Sequence, residues 1–93
     1  MKQYTDLKLR YLSSLFLKVD AENTRQLDKW GIQTHTAFEW LAYTAEELGE
    51  LAKAISEHEY RQGIKEQVIK EAIQVATLAL KIAEMYEEAS DEK

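Results

Sequence analysis

Proline is absent from this chain of 93 residues, and glycine occurs only at Gly31, Gly49 and Gly63. An all-β domain reverses direction every few residues and draws on glycine and proline to do so. Three glycines leave room for two or three turns, so the chain is confined to a few long helices. Alanine, leucine, glutamate, lysine and glutamine dominate it, and these are the strong helix formers.

A chain of this length forms one domain, residues 1–93. It buries only about 60–65% of its unfolded surface, so its own core needs reinforcement. Cysteine is absent, which removes disulfides, thiolate zinc sites and cysteine nucleophiles. Self-association, or a metal held by other ligands, remains. The net charge of −5 lacks the positive footprint of a nucleic-acid binder. With 45% hydrophobic and 31% charged residues, the chain is too apolar for disorder and too polar for a membrane span. Lys2, Lys8 and Arg10 precede an apolar stretch, Tyr11 to Leu17, with the outline of a signal segment. Ser13 and Ser14 interrupt it, Lys18 and Asp20 follow at once, and no small-x-small cleavage site is convincing. A cytoplasmic protein is expected.

Three helical segments are predicted. The first spans about 4–29, with Leu12, Phe16, Val19, Leu27 and Trp30 on one face and Tyr4, Leu7, Tyr11 and Leu15 on a second. Asp20 or Asn23 offers a capping residue, so a break near 20–23 stays open. Gly31 is a natural stop, because glycine takes the left-handed conformation of many helix ends. The second helix spans 36–57. It opens on Thr36 and Glu39, the T-x-x-E spacing of a capping box, and carries a core stripe of Phe38, Leu41, Ala45, Leu48, Ala52 and Ile55. The third spans 65–87 with Val68, Ala72, Val75, Ala79, Ile82 and Tyr86, and the acidic tail 88–93 is expected to fray. The short link between the last two helices favours an antiparallel hairpin. The expected class is all-α: a long N-terminal helix and a helical hairpin. Apolar stripes on two sides of the first helix predict that a second copy completes a four-helix bundle.

Glu47 and Glu50 are three residues apart and project from one side of the second helix. Glu71 and Gln74 repeat that spacing on the third. In an antiparallel pair these positions can face each other, bringing together three carboxylates and one amide oxygen. Hard oxygen ligands from two helices suit Mg²⁺ or Mn²⁺. Thirteen glutamates in the chain place some at this spacing by chance, and helical glutamates are usually solvated. Glu71 is harder to dismiss, because it interrupts the apolar run Val68, Ile69, Ala72, Ile73, Val75, Ala76, where a lone carboxylate is costly. Gly49 in mid-helix costs about 1 kcal/mol relative to alanine. Close helix packing and clearance for a substrate explain it equally well.

Glu46-Glu47-x-x-Glu50, followed after twenty residues by Glu71-x-x-Gln74, resembles the EExxE…ExxD signature of the MazG-like all-α NTP pyrophosphohydrolases. Asp28-Lys29-Trp30-Gly31, then His35 and Phe38-Glu39-Trp40-Leu41, is similar to what precedes the acidic helix in small bacterial and phage members. The resemblance covers about residues 25–86. It implies Glu47, Glu50 and Glu71 as Mg²⁺ ligands, with Gln74 where the pattern has aspartate, and Glu46 ordering the site or a water. The implied reaction is attack of water on a nucleoside triphosphate, giving the monophosphate and pyrophosphate, in nucleotide-pool house-cleaning. Lys29 or Lys53 would meet the phosphates and Trp30 or Trp40 would stack on the base. Each has a plainer reading, as a solvated lysine or a core tryptophan. His35 is expected at the helix entrance and His58 in the link. Relatives are dimers or tetramers, and a partner subunit is expected to bring Lys29 or Trp30 towards the acidic cluster.

Two departures from the pattern count against turnover. Gln74 removes one negative ligand, and the tail Glu87 to Lys93 lacks the basic and amide residues that reach the phosphates in some members. A catalytically degenerate bundle that binds nucleotide or a protein partner is therefore the second expectation.

Overall fold

A computed structural model describes residues 3, 4 and 7–89. It contains three helices, α1 (Leu12–Trp30), α2 (Ala37–Tyr60) and α3 (Lys65–Glu88), and no strand among the described residues. Residues 90–93 of the expected frayed tail, and Lys2 of the signal-like segment, lie outside the described residues.

α1 begins later than the predicted start at residue 4. Leu9 takes a left-handed conformation (φ 53°), and Tyr11 caps the helix without a side-chain hydrogen bond. The stripe of Tyr4, Leu7, Tyr11 and Leu15 is therefore not a helical face: only Leu15 lies within α1. No break occurs at 20–23, where Glu22 bonds Arg25 and Gln26 one turn on. Gly31 ends the helix with φ 71° and donates its N–H to the Leu27 carbonyl at 2.8 Å.

The capping box at Thr36 is present in both directions. Thr36 Oγ1 accepts from the Glu39 N–H at 3.1 Å, and Glu39 Oε1 accepts from the Thr36 N–H at 2.9 Å. α2 then runs to Tyr60, three residues past the predicted end, so the hairpin link is only 61–64. Gly63 is required there. A Cβ on it would lie 2.9 Å from Glu57 Cβ and 3.0 Å from the Glu57 carbonyl carbon, while its N–H bonds the Glu57 carbonyl. His58 Nδ1 donates to the Gly63 carbonyl at 2.7 Å.

The expected core stripes are the principal correction. Phe38, Leu41, Leu48 and Ile55 of α2 are exposed, Phe38 at 83%, as are Ala72, Ala79 and Tyr86 of α3. The side of α2 that packs on α3 carries Trp40, Thr44, Glu47, Leu51 and Ala54 at steps of three and four. On α3 the facing positions are Glu71, Gln74, Leu78 and Lys81. Thr44 and Thr77 satisfy their hydroxyls on the carbonyls four residues back, of Trp40 and Ile73. At about 100° per residue, Leu41, Ala45, Leu48, Ala52 and Ile55 point away from the side that carries Tyr43, Glu46 and Glu50. The most apolar stripe of the sequence is thus not covered within one chain. The hydrophobic pattern gives the periodicity of a helix but cannot tell which neighbour lies against it.

α1 packs on α3 and makes no packing contact with α2. Its one buried residue is polar, Gln26, whose side-chain oxygen accepts from Lys81 Nζ. The radius of gyration is 15.3 Å, against about 12 Å for a compact chain of this length. Among the described residues no helix is long and apolar enough to cross a membrane.

Candidate functional site

The α2–α3 seam brings together three of the predicted ligand positions. Glu71 is buried (7% exposed) and accepts from Gln67 Nε2 at 2.8 Å. Both near neighbours of the Gln74 amide are carboxylates, so its nitrogen faces them, donating to Glu71 Oε2 at 2.9 Å and Glu47 Oε2 at 2.7 Å. The amide bridges two carboxylates as a donor and must turn over to present its oxygen.

Burial is the largest influence on Glu47. The hydrogen-bonding and charge of Glu71, with the charges of Glu50 and Glu46, add to it, and together they push its pKa up to about 7. Two carboxyls at such close quarters need a proton, a donor or a cation between them. Among the described residues no three carboxylate or imidazole groups form a ready cation cage. Glu50 is exposed and one turn from Glu47; Glu46 is exposed on its flank. The donor set nevertheless fits magnesium: hard carboxylate oxygens, two of them held together against their repulsion, with Glu50 beside Glu71 on the wall of a shared cavity.

Two cavities meet at this cluster. The larger, about 830 Å³, lies between the end of α1, the 31–36 link and the seam, and Glu46, Glu47 and Gln74 line it. So does Trp30 of the same chain. Lys29 does not line it, and instead lies over the outer Trp30 ring, 4.8 Å from the centroid. The smaller, about 330 Å³, lies towards the turn and is lined by Glu50, Lys53, Glu57, Gln67 and Glu71 among others. Lys53 and Trp30 therefore stand in different cavities, either side of the carboxylates.

Three further residues of the large cavity were not singled out for chemistry. His35 meets Trp40 and Tyr43 edge-on, with centroids 5.0 and 5.2 Å apart, and its Nε2 is buried with no partner. Arg25 forms a two-pronged pair with Glu22 at 2.8 and 2.9 Å and lies 5.6 Å from the Trp30 centroid. That pairing holds the Glu22 carboxyl below its ordinary pKa. Lys81 lies 5.5 Å from the Trp40 centroid. A usable signal existed for Lys81 alone: it follows Gln74 by seven residues, two helical turns along one face. Arg25 and His35 have no such spacing to the acidic motif.

Comparison with family models, curated proteins and solved structures found no match.

Proposed function

We propose that the chain is a Mg²⁺-dependent nucleoside triphosphate pyrophosphohydrolase that converts NTP or dNTP to the monophosphate and pyrophosphate. The observation that carries this reading is the pairing of half-buried Glu47 with buried Glu71 through Gln74, with a cavity on either side. Glu47, Glu50 and Glu71 would hold Mg²⁺, or Mn²⁺, and Gln74 would turn its oxygen inward as a fourth donor. When bound, the ion polarises the phosphoryl oxygens and makes water a better nucleophile. The larger cavity, with Trp30, Trp40 and Tyr43 on its walls, has room for a nucleoside. The smaller one, with Lys53, has room for the departing pyrophosphate. Glu46, exposed beside Glu47, takes the proton of the attacking water as the bond from the α-phosphorus to the pyrophosphate oxygen breaks. Lys29 lies outside the cavity of its own chain, and as a phosphate contact it would serve the site of a partner subunit.

The same reading includes assembly. The uncovered stripe Leu41, Ala45, Leu48, Ala52 and Ile55 supports pairing of two hairpins into a four-helix bundle, as a homodimer or within a homotetramer. Gly49 supports it too, since a Cβ there meets nothing within 4 Å in one chain. A cytoplasmic role in cleansing the nucleotide pool accords with this chemistry.

One observation favours a second reading. Gln74 already joins the two carboxylates as a donor, which does part of a cation's work. A bundle that binds nucleotide without turnover, or a protein partner, would keep this arrangement. A panel of NTPs and dNTPs with Mg²⁺ or Mn²⁺, assayed for released pyrophosphate, separates the two. The hydrolase reading expects turnover that Glu50→Gln and Glu71→Gln abolish with helicity intact. No turnover by folded protein selects the second.

A further inference from the structure

Lys81 is a half-buried ammonium without a matching anion. It lines the large cavity, and among the described residues no carboxylate comes within ion-pair distance of it. Its one hydrogen-bond partner is the neutral Gln26 side-chain oxygen, and the Trp40 ring lies 5.5 Å away. Burial outweighs the attraction of Glu22 and Glu84 and lowers its pKa. An ammonium has three N–H groups. Two remain without a protein acceptor and are open to the cavity.

A ligand entering the cavity can supply an acceptor in place of water, and the surroundings decide which kind. Glu22, Glu46, Glu47, Glu84 and Glu88 line the same cavity, and Arg25 is committed to Glu22. A free phosphate beside Lys81 would face this excess of negative charge. A neutral carbonyl on a flat ring would not, and the aromatic walls suit such a ring.

We propose that Lys81 reads the base: it selects nucleobases that carry a carbonyl oxygen and rejects adenine, with the base held at the Trp40 end of the cavity and the phosphates directed to the carboxylates. This deepens, and rests on, the nucleotide reading above. Hypoxanthine and adenine make the sharpest comparison. They differ at position 6, where one presents an oxygen to Lys81 and the other an amino group whose N–H opposes it.

The test is calorimetric binding of inosine and adenosine to the full chain without metal. Both nucleosides are uncharged, so the carboxylates do not repel them. A hydrogen bond from a charged donor is expected to favour inosine by roughly tenfold. Lys81→Met keeps the stem against Trp40 but removes the donors, and should bring the two affinities within about twofold of each other. Gln26→Leu removes the tie between Lys81 and α1, together with the Gln26–Glu22 bond within α1, and should shift both affinities together with their ratio kept. Equal affinities in the wild type, a ratio that survives Lys81→Met, or no binding of either nucleoside overturns the proposal. Turnover of triphosphates with no base preference removes the base-reading role alone. A Lys81-dependent preference without turnover of any triphosphate removes the hydrolase reading and leaves this one standing.

Discussion

The Gln74 amide nitrogen lies 2.7 Å from Glu47 Oε2, and its second N–H serves Glu71. One neutral side chain thus relieves the repulsion between two carboxyls on facing helices. Gln74→Asp removes both donors and adds a third charge. Without metal it should lower stability by about 1–3 kcal/mol in chemical denaturation. With excess Mg²⁺ most of that loss should return, since binding to the folded state alone is stabilising. Calorimetry should show tighter Mg²⁺ binding than in the wild type, and Glu71→Gln weaker. Equal Mg²⁺ affinity in all three proteins would mean the ion binds elsewhere.

Glu47 gives stability a definite pH dependence. In the unfolded chain its carboxyl titrates near 4.5, and in the fold near 7. Well below pH 4.5 both states hold the proton and the group costs nothing. Between these values the folded state binds more proton than the unfolded, so stability falls as pH rises, and the loss is complete above pH 7. The carboxyl lines an open cavity, so solvent screening reduces the effect to about 1 kcal/mol. Thermal melts of metal-free protein from pH 5 to 8 should show the decline. Glu47→Gln should flatten it; an unchanged slope in that variant would place the titrating group elsewhere.

Assembly is tested on the uncovered side of α2. Leu48→Glu puts a charge into that stripe at a residue 55% exposed in the single chain. Light scattering should show a wild-type dimer or tetramer and a folded Leu48→Glu monomer, with melting that no longer rises with concentration. A wild-type monomer at micromolar concentration would leave the stripe unexplained by self-pairing.

Two glycines should respond in opposite directions. In the Leu48→Glu background, Gly49→Ala meets open space and should stabilise α2 by about 0.5–1 kcal/mol. Gly63→Ala drives a methyl group against Glu57 in the same background and should cost about 1–3 kcal/mol. Urea midpoints read both. A stabilising Gly63→Ala would contradict the close approach at the turn.

The parts of the fold legible in the sequence are those written in local chemistry. Thr36 and Glu39 announce the start of α2, Gly31 ends α1, and glycine scarcity sets the helical class. The meeting of Glu47, Glu71 and Gln74 was also legible, because i, i+3 pairs on antiparallel helices share a face. What was not legible depends on which surface each helix meets. The Leu41–Leu48–Ile55 stripe signals burial, yet within the chain Trp40, Glu47 and Ala54 occupy the seam. Likewise Lys81 looks like a solvated charge until Gln26 docks α1 beside it. The start of α1 was misplaced because Leu9 adopts a left-handed conformation that leucine does not advertise.

The docking of α1 through a polar residue, onto α3 alone, divides the molecule into two cooperative units. The carboxylate pair belongs to the α2–α3 hairpin, while α1 meets α3 with Gln26 bonded to Lys81 and Leu15 and Val19 half-buried. Amide protons of α1 will therefore exchange with solvent at lower free-energy cost than those along the seam.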